Sequence, residues 1–273
     1  YSGKKSTYPL GIHCGDSKEI KIQAIRSRLF GFYGFNSKRI TKRILKKLDE
    51  IEPDVVHLHN LHGHNCNLEM LLSYLRDHHI KTFWTFHDCW AFTAYCPHFS
   101  MDKCDKWKDG CRDCHRYREY SFFFDRSREL YNKKKKESEG LDLTIITPSQ
   151  WLAGLVKQSF FKNYPVKVIN NGIDLGIFKP APSDFRAKQG IPNDKYIVLG
   201  VGKRKGLDVF IELSKRLDKE KYQRILVGTE EKIDKQLPSN IISIHRTQNQ
   251  RELAEIYTAA DVFANPTREE VFG

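Results

Sequence analysis

A repeated alternation of short apolar strands and amphipathic helices restricts the fold of this chain more than any other feature. Repetition of strand, helix and strand predicts parallel sheets that are covered by helices on both faces. Strands are predicted at residues 54–59, 81–86, 143–147, 166–169, 196–201, 223–227, 241–244 and 261–264. Helices are predicted at residues 37–51, 68–77, 121–139, 208–217 and 251–258, and from residue 150 onward. The pattern predicts an α/β fold.

A polar, proline-bearing stretch at residues 180–194 separates two such series and marks a domain junction. We therefore predict two Rossmann-like domains. The first covers residues 1–178 and carries a cysteine-rich insertion at residues 89–120, and the second covers residues 179–273. The chain does not begin with methionine, and we expect both domains to be incomplete, without the first strand and the last segment.

The net charge of +12 favours a polyanionic partner, either a phosphorylated ligand, an anionic membrane leaflet or nucleic acid. No RNA- or DNA-recognition motif accompanies the charge, so nucleic acid is the weakest of these interpretations. No apolar run reaches the roughly 18 residues that a spanning helix needs. We expect a cytoplasmic protein, peripheral on the inner face of the membrane, with the basic helices near residues 37–47 and 126–136 facing an anionic membrane or a lipid-phosphate acceptor. The lysine run at residues 133–136 is equally well interpreted as plain solvated surface.

Polar residues at the carboxyl ends of the predicted strands are the candidate ligand contacts, because open parallel sheets bind ligands there. In the first series these residues are His57, His59, Asn60, His87, Asp88 and Ser149. In the second series they are Lys203, Arg204, Lys205, Gly206, Gly228 and residues 265–270. The second set suits a diphosphate, since cationic side chains and helix N–H groups there point the same way.

Several motifs together resemble family 4 glycosyltransferases of the GT-B architecture, in which two Rossmann-like domains face each other across a cleft. The motifs lie at residues 142–178, 204–206, 253–257, 261–267 and 269–273. Residues 53–114 resemble a bacterial polysaccharide-biosynthesis branch of that family, through the HLHNLHG run at 57–63 and the HDCWAFT run at 87–93.

For the donor, the resemblance implies that Lys205 holds the diphosphate of a nucleotide sugar, with Arg204 and Gly206 beside it. Glu270 matches the first glutamate of a pair, the one that faces the donor sugar. Its partner would lie beyond Gly273. These assignments make the second domain the nucleotide-sugar-binding domain.

For the first domain, the resemblance implies that His87 lines the reaction centre against the donor sugar. A hydrogen-bonded scaffold role is the alternative for a strand-end histidine. Asn171 and Gly172 are expected to touch the nucleotide, and His59 and Asn60 to lie beside the acceptor. His87 and Glu270 are thus the expected catalytic residues.

Seven cysteines occur in the chain, and four of them fall within residues 96–114 of the insertion. A two-residue gap between thiols suits tetrahedral zinc, and two further thiols nearby complete the ligand set. Cys96, Cys104, Cys111 and Cys114 are the expected ligands, with His98 and His115 as substitutes. The alternatives are inert reduced thiols, and disulfides, which a cytosolic compartment disfavours.

The resemblance implies sugar transfer from a nucleotide diphosphate to the hydroxyl of a lipid-linked or saccharide acceptor. It also implies retention at the anomeric carbon, with no catalytic metal or other cofactor, and a role in cell-surface polysaccharide assembly. One alternative is a nucleotide-sugar epimerase of the same architecture. The other is a zinc-stapled nucleic-acid-binding protein.

Overall fold

The computed structural model describes residues 8–202, 206–268 and 270–271, which form two compact α/β units. The first unit contains the chain up to Asn171 together with Val271, and the second unit is Gly172–Glu270. Each unit has its own four-stranded parallel sheet. The predicted α/β class with two Rossmann-like domains is confirmed.

The first unit has a sheet in the order β1-β2-β3-β4, with helices between the strands. Its strands are β1 (Val55–Leu58), β2 (Lys81–Thr85), β3 (Leu143–Thr147) and β4 (Val166–Val168). Its helices are α1 (Ser17–Phe30), α2 (Lys38–Ile51), α3 (Leu68–Asp77), α4 (Ser127–Ser138) and α5 (Gln150–Val156). Short 3₁₀ turns cover Trp90–Phe92 and Tyr117–Glu119.

Side-chain caps set the start of two helices that flank this sheet. The Asn67 side chain accepts a hydrogen bond from the Met70 amide and begins α3. Ser149 caps α5 by accepting a hydrogen bond from the Leu152 amide. Each cap directly follows a loop that leaves the carboxyl edge of the sheet, so the helices begin beside the candidate ligand-binding edge.

The cysteine-rich insertion is part of the core of the first unit. Phe92, Tyr95 and Trp107 are buried, and the rings of Phe92 and Trp107 lie 5.4 Å apart. Phe86, which directly follows β2, lies 6.3 Å from Phe92 by ring centroids. The aromatic side chains of the insertion therefore continue the sheet's own hydrophobic layer.

In the first unit, one predicted helix needs correction and one helix was missed. The helix predicted at residues 121–139 begins only at Ser127, because the Asp125 carboxylate accepts the Ser127 amide and holds the preceding residues as a loop. Helix α1 was not predicted at all. The start of α1 is marked by a capping box, in which the side chains of Asp16 and Glu19 each accept a hydrogen bond from the other's backbone N–H.

The second unit has the strand order β7-β6-β5-β8. The strand order therefore reverses at β5, with β6 and β7 on one side of it and β8 on the other. Its strands are β5 (Tyr196–Val201), β6 (Tyr222–Val227), β7 (Ile241–Ile244) and β8 (Val262–Ala264). Its helices are α6 (Phe185–Lys188), α7 (Leu207–Arg216), α8 (Glu231–Asp234) and α9 (Gln250–Ala259). The switch point between β5 and β8 is where doubly wound sheets open a crevice for ligands.

Taken over both units, the described helices include none that is long and apolar enough to cross a lipid bilayer.

Candidate active site

A group of histidines occupies the carboxyl edge of β1 and β2. The two strands are parallel neighbours, so residues that follow them meet at one edge. His59 Nδ1 and His87 Nε2 lie 2.9 Å apart, and their rings stack at an interplanar angle of 25°. His57 Nε2 lies 2.8 Å from the Thr85 hydroxyl, and its ring centroid is 4.3 Å from that of His59. The structure thus brings together three of the predicted strand-end residues.

Burial and mutual proximity favour the neutral forms of His57 and His87 by lowering their pKa values. Burial is the largest cause that lowers the pKa of His87, and the neighbouring His59 lowers it further. Burial, with His59 and His87 nearby, also lowers the pKa of His57 below its usual 6.5. At neutral pH His87 therefore carries one ring proton and one lone pair, and can hydrogen-bond to hydroxyls without adding charge.

A second pair, His62 and Asp88, stands beside this group. His62 Nε2 lies 2.9 Å from Asp88 Oδ2, and Asp88 Oδ1 accepts the Trp90 amide at 2.8 Å. Burial raises the pKa of Asp88, but the His62 hydrogen bond and charge and the Trp90 amide outweigh it and leave the pKa low. Asp88 is therefore an ionised, oriented carboxylate.

One small hollow is lined by His59, His62, His87 and Asp88, together with the predicted acceptor-side residue Asn60. Trp84 Nε1 donates to the His59 carbonyl at 3.2 Å and fixes the backbone after β1. Asn171 and Gly172, the expected nucleotide contacts, lie instead in an exposed segment after β4. A Cβ at Gly172 would meet no atom within 4 Å, so packing gives no reason for a glycine there.

At the carboxyl edge of β5, Gly206 begins α7 in a left-handed conformation, with φ +76°. A Cβ on Gly206 would lie 2.1 Å from the Pro266 carbonyl oxygen, so only glycine fits. Gly206 before α7 and Pro266 after β8 therefore approach each other closely at the switch point. The amide groups of the first α7 turn are directed toward this point, where anions bind well.

The other predicted donor residues of the second unit are only partly described. Lys205 and Arg204 lie outside the described residues. Glu270 is half-buried at the end of the segment after β8. The nearby Arg268 donates to Asp208 in the first turn of α7 at 2.5 Å. The segment after β8 is thus tied to the helix that Gly206 begins.

A polar network beyond β6 and β7 was missed by the sequence reasoning, except for Gly228. Thr229 and Ser243 hydroxyl oxygens lie 2.5 Å apart, and Ser243 donates to Asp234 Oδ1 at 2.6 Å. Asp234 also hydrogen-bonds to His245 and raises the pKa of that imidazole. Gly228, Thr229 and His245 line an open hollow of about 610 Å³. The strand-end positions of these residues were the signal available in the sequence.

Four cysteines of the insertion line one small hollow, together with Phe99 and Trp107: Cys96, Cys104, Cys111 and Cys114. The seven cysteines all lie within the described residues, and none of them forms a disulfide bond. A hydrogen bond between Cys96 and Cys114 raises the pKa of Cys96 and lowers that of Cys114. Within the described ranges, however, no three His, Cys, Asp or Glu side chains are already arranged to hold a metal ion. The zinc site stays a prediction.

Lys134 is the clearest correction to the sequence-based prediction of a solvated lysine run. Its side chain is fully buried. Nζ donates to the carbonyl oxygens of Trp90, Thr93 and Ala94 at 2.7, 2.9 and 3.3 Å. It also lies 3.4 Å from the centroid of the Trp90 ring. Burial lowers the pKa of Lys134 well below its usual value. Lys134 thus stabilises the turn that follows Asp88.

The fold and these edges define a protein of two Rossmann-like units, each with polar residues at its strand ends. The model described as Glycosyltransferase Family 4 matches residues 15–176, which is more than half of the chain. The model described as Glycosyl transferases group 1 matches residues 183–273. The chain belongs to glycosyltransferase family 4. A search of curated proteins gave no significant match.

Solved structures show the same fold at low sequence identity. Sucrose-phosphate synthase from Thermosynechococcus elongatus is 18% identical with a TM-score of 0.60, over 86% of this chain and 55% of that one. HepE from Anabaena, solved in complex with UDP, is 16% identical with a TM-score of 0.57, over 88% and 62%. A trehalose-6-phosphate synthase, studied for glycosyl transfer with retention, is 11% identical with a TM-score of 0.55, over 100% and 73%. The chain thus spans less than two thirds of the first two proteins.

Proposed function

We propose that this protein transfers a sugar from a nucleotide-diphosphate sugar to an acceptor hydroxyl, with retention at the anomeric carbon and without a catalytic metal. The observation that carries the proposal is the match to two glycosyltransferase models over residues 15–176 and 183–273. The proposed acceptor is lipid-linked or saccharide, in the assembly of a cell-surface polysaccharide. The proposed location is cytoplasmic and peripheral to the membrane.

The second unit is the proposed donor side. Departure of the diphosphate builds negative charge in the transition state, and preplaced positive groups stabilise that charge more than the ground state. Lys205 and Arg204 are the proposed cations, and the first turn of α7 after Gly206 adds backbone N–H groups. Glu270 is the proposed acceptor of hydrogen bonds from the donor sugar, because an ionised carboxylate binds sugar hydroxyls well.

The first unit is the proposed acceptor side, with His87 at the reaction centre. A neutral imidazole can donate to or accept from a sugar hydroxyl, and the lowered pKa of His87 supports that state. Its contact with His59 Nδ1 couples the tautomers of the two rings, because one nitrogen of the pair donates and the other accepts. His59 and Asn60 are proposed to line the acceptor path.

Solved structures of two proteins support the donor class and the stereochemistry. HepE was solved with UDP, and also with UDP-glucose at 16% identity and a TM-score of 0.56. The trehalose-6-phosphate synthase is described as a retaining enzyme in the work on its bisubstrate glycomimetics. A nucleoside diphosphate linked to a sugar is therefore the donor class to test first, with the base and the sugar left to the screen.

A melting screen against UDP, GDP and their sugars would identify the donor, since a ligand that binds only the folded state raises the melting temperature. Release of nucleoside diphosphate should then require added acceptor but no added divalent metal. NMR should show that the product keeps the donor's anomeric configuration. Turnover of the donor sugar without any acceptor would instead identify an epimerase.

Lys205→Ala should lower turnover by about a hundredfold to a thousandfold, the usual effect of removing one transition-state charge contact. The matched control is Lys215→Ala, which removes an exposed lysine from α7 and should leave turnover unchanged. Equal turnover of the two variants would contradict the assignment of Lys205.

We also propose that the insertion binds one structural zinc ion through Cys96, Cys104, Cys111 and Cys114. Their shared hollow supports the proposal, and zinc binding would displace the protons of the four thiols. Metal analysis of protein purified without chelator should give about one zinc per chain, the stoichiometry of a four-thiolate site. A Cys111→Ser/Cys114→Ser variant should lose the metal, whereas Cys14→Ser should keep it. Metal-free wild-type protein would rule the site out.

A further inference from the structure

Helix α1 has its apolar and polar faces reversed relative to an ordinary surface helix. The side chains it buries are polar, Gln23 and Ser27. Its isoleucines, Ile22 and Ile25, are 51% and 60% exposed, and Leu29 is 37% exposed. Because these three residues are spaced by three and four positions, they form one continuous stripe on the helix. A surface helix normally buries such a stripe.

Hydrogen bonds on the buried side show that this orientation is fixed. Ser27 Oγ accepts from Asn36 Nδ2 at 2.8 Å and lies 3.2 Å from His64 Nδ1. Glu19 pairs with Arg43 of α2, and at the other end the Arg126 side chain donates to the Phe30 carbonyl. A rotation that buried the apolar stripe would break all of these contacts.

Three consecutive phenylalanines extend the stripe. The Phe122 amide donates to the Arg28 carbonyl at 2.7 Å, which places the 122–124 segment beside the end of α1. The three rings are about half exposed. Guanidinium groups lie over two of them, Arg28 over Phe122 and Arg126 over Phe124. The α1–Phe face is defined here as Ile22, Ile25, Leu29, Phe122, Phe123 and Phe124.

The charges around this face are mostly positive. Helix α1 carries four basic side chains, all exposed, and its single acidic side chain, Glu19, is paired with Arg43. The basic residues of α1 are Lys18, Lys21, Arg26 and Arg28. An apolar stripe bordered by cations, with aromatic rings at one end, has the composition of helices that lie in the headgroup region of a bilayer. Anionic lipid complements both its charge and its apolar surface.

We propose that the α1–Phe face docks the protein on an anionic lipid bilayer, with Ile22, Ile25 and Phe123 entering the headgroup region. This face differs from the basic helices near residues 37–47 and 126–136 that the sequence indicated. The inference deepens the proposed function, since it names the surface that would bring the first unit to a lipid-linked acceptor. Vesicle binding needs neither donor nor acceptor, so each proposal can fail without the other.

The test is flotation of the full protein with vesicles of phosphatidylcholine alone or of phosphatidylcholine with phosphatidylglycerol. Wild-type protein should float only with the anionic vesicles, and binding should weaken as salt rises. Ile22→Ser/Ile25→Ser should reduce partitioning by about tenfold or more, because burial of each isoleucine contributes favourably to insertion. Phe123→Ser should reduce it less. The control, Val209→Ser, removes an exposed apolar residue of α7 and should bind like wild type.

A charge-reversal variant, Lys21→Glu/Arg26→Glu, should lose the preference for anionic vesicles while it keeps the apolar stripe. All variants should melt like the wild type, because the changed side chains are exposed. Equal flotation of the wild type and the isoleucine variant would overturn the proposal. So would a wild type that ignores both vesicles and forms dimers which Ile22→Ser/Ile25→Ser separates, since the face would then bind a second copy.

Discussion

The carboxyl edges of the two sheets share a parallel architecture but differ in chemistry. The edge after β1 and β2 is dense with titratable side chains in mutual contact, such as His59 with His87 and His62 with Asp88. The edge after β5 and β8 is defined by backbone instead, at the close approach of Gly206 to Pro266. Parallel sheets therefore supply only the location of a site, and the residues after each strand decide what binds there.

The difference indicates a division of labour. Neutral imidazoles suit the placement of hydroxyl groups, because each ring can accept one hydrogen bond and donate another. An edge of glycine and helix N–H groups suits a diphosphate. The same division is the basis of the proposed acceptor and donor roles.

The largest expected effect is a loss of stability in the second unit. Gly206→Ala should destabilise the second unit by about 3 kcal/mol or more, because the added Cβ collides with the Pro266 carbonyl. Gly190→Ala is the control, with a φ of +63° and no atom within 4 Å of the added Cβ, and should cost only about 1 kcal/mol.

Urea unfolding can assign this effect to one unit. Tryptophan fluorescence reports only the first unit, because Trp84, Trp90, Trp107 and Trp151 all lie there. Circular dichroism reports both units. In Gly206→Ala the circular dichroism transition should shift while the fluorescence transition stays in place. Equal effects of the two glycine substitutions would contradict the close approach at the switch point.

The next largest effect is a loss of stability in the first unit. Lys134→Met should destabilise the first unit by about 2 kcal/mol or more, because three buried carbonyl oxygens lose their shared donor. The fluorescence transition in urea should shift. Lys135→Met, on an exposed neighbour, should leave it unchanged. If the two variants unfolded alike, Lys134 would not fasten the turn after Asp88.

The smallest expected effect is a pH dependence confined to the first edge. The pKa values of His57 and His87 are lowered on folding, so the neutral state is favoured. Activity and stability should both hold above pH 6.5 and fall as the pH drops below it through the lowered pKa values. A rate that rises toward acid pH would show that His87 acts as imidazolium.

The contact between the two rings can be tested in the same profile. Since His59 lowers the pKa of His87, His59→Asn should move the acidic limb of the activity profile to higher pH. His79→Asn is the control, at an exposed position with φ +54° that asparagine tolerates. An unmoved limb in His59→Asn would assign the limb to another group.

Much of the fold follows from sequence periodicity, whereas the pairing of site residues does not. Strands such as Leu143–Thr147 are β-branched and bounded by clear breaks, so the pattern predicts their limits. The strand-end position of His87 was also predictable. Its contact with His59 depends on the register of β1 against β2, which no local pattern encodes.

Two other features depend on tertiary context. In the lysine run at residues 133–136 every side chain has the same local chemistry, and only the packing of α4 on the Trp90 turn buries Lys134. Helix α1 was missed because its apolar positions do not face a core, so its pattern of buried and exposed residues is reversed. A periodicity argument assumes that the apolar face is buried within the same chain.

Hydrogen–deuterium exchange with and without a nucleoside diphosphate tests the division between the two edges most directly. UDP or GDP, whichever raises the melting temperature, should slow amide exchange around Gly206 and Gly228 in the second unit. Exchange around His57 and His59 should stay as in the free protein. Protection confined to the histidine edge, with none around Gly206, would contradict the assignment of the donor to the second unit.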